Sequence, residues 1–223
     1  MKVLIACEES QRVCAEFRRL GHEAYSCDIQ ECSGGRPEWH IKQDVLPLLN
    51  GRCRFETMDG QRHEISGRWD LIIAHPPCTY LSNAGARFLY PKGVLNEERL
   101  KLGLEAKEFF MAFYNADCEK ICIENPTPSR VYGLPKYTQV IQPWMFGHPV
   151  QKRTCLWLKG LEPLKPTEIV EERQSSKVPG NWFNKGGKER QQNRAKTFPG
   201  IAKAMAEQWG NTGNKEEVKH ENN

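Results

Sequence analysis

At Asp70-Leu-Ile-Ile-Ala-His-Pro-Pro-Cys78, an apolar run ends in two prolines, and a cysteine follows at once. Proline lacks the N–H group that a central strand donates, so we expect the strand to end and the chain to turn at Pro76 and Pro77. Open α/β sheets bind their ligands beyond the carboxyl ends of their strands. The pattern therefore predicts that Cys78 lies in a loop at a candidate site.

A second apolar run with the same ending carries a carboxylate, in Lys120-Ile-Cys-Ile-Glu124-Asn-Pro126. Between the two runs, the stretch from Glu97 to Asn115 has the spacing of an amphipathic helix. Alternation of strand, loop and helix is typical of a parallel α/β sheet. A thiol and a carboxyl group at one edge of such a sheet would form a nucleophile and an acid/base partner.

Pro77-Cys78 and Glu124-Asn125 resemble the Pro-Cys and Glu-Asn motifs of cytosine-5 DNA methyltransferases. The resemblance implies that Cys78 attacks carbon 6 of a flipped-out cytosine while Glu124 binds ring nitrogen 3 and the amino group. Carbon 5 is a poor nucleophile, and thiolate addition at carbon 6 makes it enamine-like, so that it can take a methyl group from S-adenosylmethionine. The implied fold is α/β and Rossmann-like, a class I methyltransferase with a mostly parallel central sheet and helices on both faces.

The amino-terminal third is typical of the cofactor half of such a fold. A strand at Lys2–Cys7, a helix at Gln11–Leu20 and a strand at Glu23–Asp28 are predicted. Asp28, which closes the second strand, would accept the ribose hydroxyls of S-adenosylmethionine, and Asp44 would lie near its adenine. The cofactor-binding residues that the resemblance implies are Ala6, Glu8, Asp28, Ile29, Asp44 and Pro76. The family usually has glycines after the first strand, whereas residues 6–10 contain none.

Residues 146–158 resemble the Gln-x-Arg-x-Arg strand of the family. Gln151 and Arg153 match, and Cys155 stands at the second arginine position. The resemblance makes Arg153 a contact to the target base or a phosphate, completing a predicted catalytic set with Cys78 and Glu124. It places Gln151 and Asn125 among the substrate contacts.

No large target-recognition domain is present between the arginine strand and residues 197–210, which resemble the closing helix of the family. The sequence predicts a single catalytic domain over 1–210, with a hairpin insertion at about 52–67 and a short basic loop at about 161–196. The polar residues 211–223 are predicted to be disordered. In the basic loop, the residues suited to a nucleic-acid strand are Trp182, Lys185, Lys188 and Arg190. The predicted partner is DNA, single-stranded or read with weak sequence specificity, although a solvated surface loop fits this stretch as well.

Composition sets outer bounds on the function. A net charge of +4 permits nucleic-acid binding without requiring it. No apolar run reaches the roughly 20 residues of a membrane span, and the first predicted strand leaves no room for a signal peptide. Nine cysteines in such a chain indicate a reducing compartment, so we expect a cytoplasmic protein without a membrane partner. The pairs Cys27/Cys32 and Cys118/Cys122 lack a well-spaced second pair, so no metal site is predicted. The sequence does not indicate an oligomeric state.

Several other functions stay open at this point. The missing recognition domain suits a methyltransferase that acts on RNA or on a free pyrimidine nucleotide. The cofactor loop without glycine suits a non-catalytic nucleic-acid-binding protein on the same scaffold. An amino-group methylase is disfavoured, because Cys78 rather than an aromatic residue follows Pro77.

Overall fold

The computed structural model describes residues 1–175 and 195–210, and the described residues form a seven-stranded central sheet and two small two-stranded sheets. The strands are β1 (Lys2–Ala6), β2 (Glu23–Asp28), β3 (His40–Lys42), β4 (Cys53–Glu56), β5 (Arg62–Ile65), β6 (Leu71–Ala74), β7 (Ile121–Asn125), β8 (Gln139–Ile141), β9 (Val150–Gln151), β10 (Thr154–Lys159) and β11 (Gln174–Ser175). The helices are α1 (Arg12–Arg19), α2 (Asn83–Ala86), α3 (Glu97–Tyr114) and α4 (Pro199–Gly210).

The strand order of the central sheet is β3-β2-β1-β6-β7-β10-β8. Every neighbouring pair from β3 to β7 is parallel, and β10 runs antiparallel to both of its neighbours. The order runs outward from β1 in one direction and then continues from β6 in the other, which is the doubly wound arrangement with a switch point between those strands. The predicted α/β, Rossmann-like fold, with its mostly parallel central sheet, is confirmed.

Helices cover both faces of the sheet. Successive residues of a strand point to opposite faces, so the apolar strands have side chains to bury on both. Val3 and Ile5 of β1 belong to one buried cluster, to which α1 contributes Phe17 and α4 contributes Met205. Leu4 and Ala6 belong to the other cluster, which contains Phe110 and Phe113 of α3. Strands that are apolar on both sides therefore lie between two helical layers, as a parallel sheet requires.

The predicted elements agree with the observed ones to within two residues at most ends. The hairpin of β4 and β5 turns through Asp59 and Gly60, and Gly60 has φ +83°, a conformation that favours glycine. The arginine strand is the exception. Gln151 ends β9, which pairs with β11, whereas Arg153 lies before β10, which pairs with β7 and β8. The predicted single strand was wrong, because its two parts belong to different sheets.

Residues 176–194 and 211–223 lie outside the described residues. They include the candidate nucleic-acid residues Trp182, Lys185, Lys188 and Arg190 and the whole tail that the sequence predicts to be disordered. Among residues 1–175 and 195–210, no helix combines the length and the apolar character needed to cross a bilayer.

Candidate active site

Two neighbouring strand ends bring the Cys78 loop and Glu124 to the same edge of the sheet. β6 and β7 pair in parallel, with Ala74 opposite Ile123, so the segments that follow them start side by side. The Asn125 side chain then donates its Nδ2–H to the carbonyl oxygen of Pro76 at 2.8 Å. Because Asn125 is only 2% exposed, this bond fixes the start of the Cys78 loop in a buried environment.

Backbone hydrogen bonds join the two loops on the far side of Cys78 as well. The Asn83 N–H donates to the Thr127 carbonyl at 2.8 Å, and the Ser129 N–H donates to the Leu81 carbonyl at 2.7 Å. Cys78 is partly exposed. It therefore lies on a loop that is anchored to the segment after Glu124 both before and after the cysteine.

A turn and a short helix shape the loop that follows Cys78. The Ser82 N–H donates to the Cys78 carbonyl at 3.0 Å, and the Ser82 hydroxyl accepts the Gly85 N–H at the start of α2. From α3, Arg99 donates Nη2–H bonds to the carbonyls of Thr79 and Gly85, both at 3.1 Å. Gly85 allows this approach, since a Cβ there would lie 2.5 Å from the Thr79 carbonyl oxygen.

An aromatic wall lies beside this loop. The Arg99 guanidinium stacks 5.0 Å from the ring centre of Tyr80 and 5.2 Å from that of Phe88. These residues line an open cavity of about 430 Å³ together with Pro91, Asn96, Glu98 and Leu102. The sequence interpretation did not single out this wall, although the run of aromatic and basic residues after Cys78 is visible in the sequence.

Glu124 forms an ion pair that the sequence interpretation missed. The Nδ1 atom of His75 lies 3.0 Å from Glu124 Oε2, and the two side chains are 7% and 14% exposed. Burial acts to raise the pKa of Glu124, but the His75 hydrogen bond and the charges of Lys152 and His75 outweigh it, so the pKa lies below its usual value. Glu124 is therefore a carboxylate near neutral pH. The sequence shows only that His75 and Glu124 each follow the apolar part of their strand, not that the two side chains meet.

Arg153 contacts the segment that follows Glu124. Its Nε donates to the Thr127 hydroxyl at 3.2 Å and its Nη2 donates to the Tyr137 hydroxyl at 3.0 Å, while the side chain stays exposed. Cys155, at the second arginine position, is buried opposite Asn125 in the β7–β10 pair. Gln151 is exposed at the end of β9. Arg153 thus borders the segment after Glu124, and Cys155 packs beneath it.

The predicted cofactor residues meet at the neighbouring strand ends. Burial raises the pKa of the Cys7 thiol, and the negative charges of Asp28 and Asp44 raise it further, so both carboxylates lie within electrostatic reach of Cys7. Asp28 Oδ1 accepts the Gln30 N–H, and Ile29 between them is 75% exposed. The ends of β1, β2 and β3 therefore present two carboxylates and one exposed apolar side chain around one loop.

The loop after β1 takes glycine-like turns without glycine. Cys7 and Gln11 both have φ +58°, in the left-handed region that non-glycine residues rarely adopt. The Gln11 side chain compensates with two bonds to Arg36, one from its Nε2 to the carbonyl and one from the Arg36 N–H to its Oε1. The loop after β1 therefore contains two left-handed turns at non-glycine residues, at the cost of local strain.

The side chain of Glu8 forms two hydrogen bonds at the start of α1. Its Oε1 accepts the Val13 N–H at 2.7 Å and its Oε2 accepts the Cys14 N–H at 3.2 Å. A carboxylate at this position satisfies free N–H groups and interacts with the positive end of the helix dipole. These bonds occupy the buried carboxylate, and the Glu8 N–H donates to the Cys27 carbonyl at 3.2 Å.

Ala6 and Pro76 are buried residues whose backbone carbonyls accept hydrogen bonds. Ala6 is 0% exposed, and its carbonyl accepts the His75 N–H at 2.9 Å. The Pro76 carbonyl accepts from Asn125. The end of β1 and the start of the Cys78 loop are therefore joined through His75.

No model of a protein family matches the sequence, and no curated protein matches it. A solved structure that this chain matches in part comes from E. coli and is provisionally described as a DNA modification methyltransferase encoded within a prophage. The two chains are 14% identical with a TM-score of 0.44, over 76% of this chain and 52% of that chain. This chain spans about half the length of that neighbour, and the strand order above carries the fold assignment.

Proposed function

We propose that this protein is an S-adenosylmethionine-dependent methyltransferase that modifies carbon 5 of cytosine in DNA. The observation that carries the proposal is the Asn125–Pro76 bond, which holds the loop of the nucleophilic thiol against the strand of the carboxylate. A thiol and a carboxylate on neighbouring strand ends can act on opposite parts of one small ring.

Cys78 would act as a thiolate, which is the reactive form of the side chain. A bond forms between Sγ and carbon 6 of the pyrimidine, and the electron pair of the 5,6 double bond moves into the ring, where carbon 5 gains nucleophilic character. After carbon 5 has taken the methyl group, it loses its proton to a base, and the bond to sulfur breaks to restore the ring and the thiolate.

Glu124 and Arg153 would hold the base during this sequence. Glu124 binds ring nitrogen 3 and the exocyclic amino group, and Arg153 donates to the ring oxygen or to a phosphate. Arg153 donates a hydrogen bond to the Thr127 hydroxyl, and Thr127 follows Glu124 closely in the chain. Asn125 ends β7 and would position the cysteine loop, and Gln151, which is exposed at the end of β9, would contact the substrate.

The residues at the ends of β1, β2 and β3 fit S-adenosylmethionine. Asp28 suits the ribose hydroxyls, the exposed Ile29 suits a face of the adenine ring, and Asp44 suits the adenine amino group. The turns at Cys7 and Gln11 leave the backbone between them close to where the cofactor would lie. When bound, the cofactor supplies an electrophilic methyl group on a sulfonium.

The substrate base must leave the helical stack, because carbon 6 is inaccessible inside a duplex. A single-stranded segment would meet this need at the lowest cost. RNA and free pyrimidine nucleotides present the same ring, so we include both beside DNA in the assay below.

Mass spectrometry of nucleosides from DNA incubated with the protein and S-adenosylmethionine tests the proposal. We expect 5-methylcytosine with the wild type and with Cys53→Ala, a control on the β4–β5 hairpin away from the site. Cys78→Ala should form none while still binding the cofactor by calorimetry. Product from Cys78→Ala would refute the covalent mechanism, and product only from RNA or a free nucleotide would replace DNA as the substrate.

A further inference from the structure

We propose that His75 is a positioning residue that holds Glu124 ionised and oriented in the free protein, so that recognition of the base takes up one proton. The inference deepens the proposed function and rests on it for the identity of the base. It starts from a contact that the sequence motifs do not contain, the buried pair of His75 and Glu124.

The geometry leaves one carboxylate oxygen for the substrate. His75 Nδ1 lies 3.0 Å from Glu124 Oε2, so Oε1 is the oxygen that this contact leaves unused. The backbone of His75 is held in place by its N–H, which donates to the Ala6 carbonyl at 2.9 Å. Its Nε2 is buried and has no hydrogen-bond partner within the described part of the chain. The imidazole therefore has one polar contact there, and that contact is Glu124.

The charges around the pair act in a consistent direction. Four titratable groups face Glu124. They are His75 after β6, Cys122 on β7, Lys152 between β9 and β10, and Cys155 on β10. Burial would raise the pKa of Glu124, whereas the hydrogen bond from His75 and the charges of Lys152 and His75 lower it overall. On the other side, the charge of His75 also acts on the buried Glu8. His75 thus lies between two carboxylates and is the largest stabilising influence on the ionised form of Glu124.

An ionised carboxylate matches only half of the cytosine edge. The amino group donates a hydrogen bond, which a carboxylate oxygen accepts, but nitrogen 3 carries a lone pair that repels a second oxygen. A proton from solvent must therefore enter between Glu124 and nitrogen 3 when the base binds. The same proton moves toward nitrogen 3 as the Cys78 thiolate bonds to carbon 6, which neutralises the electron pair displaced into the ring.

Removal of the His75 donor should shift the proton equilibrium of Glu124. In His75→Ala the burial of Glu124 persists while the hydrogen bond is lost, so the Glu124 pKa should rise and the carboxyl group should be protonated at higher pH. In His75→Asn the side-chain amide can still donate from about the position of Nδ1 without itself titrating, so the Glu124 pKa should stay low. A purely structural histidine would not produce this difference between Ala and Asn.

Carbon-13 NMR of the full chain with labelled glutamate carboxyl groups measures this equilibrium without any need for activity. The Glu124 resonance is the one missing from the spectrum of Glu124→Gln. We expect it to titrate below the usual glutamate range in the wild type and in His75→Asn, and at higher pH in His75→Ala. Thermal unfolding of each variant confirms that it is folded before titration.

The pH dependence of kcat/KM for cytosine methylation gives the second readout. We expect the fall in kcat/KM with rising pH to begin at higher pH in His75→Ala than in the wild type and His75→Asn. An unchanged Glu124 titration in folded His75→Ala overturns the inference, whatever the rates are. If the titration shifts but no cytosine is methylated by the wild type at any pH, the proposed function fails and the coupling of His75 to Glu124 stands.

Discussion

Asn125 donates its side-chain N–H to the carbonyl oxygen of Pro76 at 2.8 Å, and this buried bond joins the end of β7 to the segment that follows β6. That segment carries Cys78, and Asn125 follows Glu124 directly. Removal of the amide would leave a buried carbonyl unsatisfied, which costs about 1–3 kcal/mol. The loss would destabilise the segment that positions Cys78.

We therefore expect Asn125→Ala to lower both the free energy of unfolding and the rate of methyl transfer, measured by urea denaturation and single-turnover assays. Gln139→Ala is the matched control, because Gln139 makes two hydrogen bonds with the Leu164 backbone at the edge of the sheet, away from Cys78. It should lose stability without loss of rate at a temperature where both variants are folded. Equal rate losses in the two variants would mean that Asn125 acts only through global stability.

The left-handed turn at Cys7 predicts an unusual order of stabilities. At φ +58° a Cβ is strained and glycine is not, so Cys7→Gly should be more stable than Cys7→Ala by about 1 kcal/mol. Cys32 does not have a positive φ, so Cys32→Ala should be more stable than Cys32→Gly. Chemical denaturation of the four variants measures both differences. Alanine above glycine at Cys7 would contradict the turn.

Glu8 should make stability depend on pH. Burial raises its pKa in the folded protein, although His75 and the N–H groups of Val13 and Cys14 oppose the shift. Such a group favours folding below the unfolded glutamate pKa of about 4.3, and this contribution is lost as the pH rises through the raised folded pKa. Relative to Glu8→Gln, the wild type should thus lose unfolding free energy as the pH rises over that interval.

Denaturation curves of the wild type and Glu8→Gln at several pH values test this slope. Glu8→Ala should lie below the Glu8→Gln variant by about 1 kcal/mol, because it loses the cap of α1 altogether. Parallel pH dependences of wild type and Glu8→Gln would show that the Glu8 pKa is not shifted by burial.

Arg99 should order the loop after Cys78. It donates to the Thr79 and Gly85 carbonyls and stacks between the rings of Tyr80 and Phe88. A lysine cannot reproduce the planar stack and the two bonds together, so Arg99→Lys should speed amide hydrogen exchange over 79–90. Arg87→Lys is the control. The Arg87 guanidinium lies 4.6 Å from the centre of the Phe88 ring, and its replacement should leave most of that exchange unchanged. Equal exchange in both variants would contradict the role of Arg99.

Much of the fold was readable from sequence because the central strands β1, β6 and β7 are mainly apolar runs, two of which are followed by proline. The run before Pro76 and the run before Pro126 predicted neighbouring strand ends, and β6 and β7 do pair. The extent of the catalytic domain and the roles of the site residues stay predictions. The basic loop with Trp182 lies outside the described residues.

What sequence reasoning missed depends on register and backbone conformation. The pairing of His75 with Glu124 requires the register of two strands that are far apart in the chain, which one sequence does not encode in a readable pattern. The turn at Cys7 was missed because left-handed turns are predicted from glycine, and residues 6–10 contain none. Glu8 was assigned to the cofactor from its place after β1, whereas its distance from α1 suits a helix cap equally well.

The central claim is a transient bond between the Cys78 sulfur and carbon 6 of cytosine, and a mechanism-based trap measures it directly. An oligonucleotide with 5-fluorocytosine lacks the carbon 5 proton whose removal releases the enzyme, so the adduct should persist once the methyl group has been transferred. We expect peptide mass spectrometry to find the oligonucleotide and the added methyl group on Cys78, with none in Cys78→Ala. An adduct on another cysteine, or no adduct while unmodified DNA is still methylated, would contradict the account.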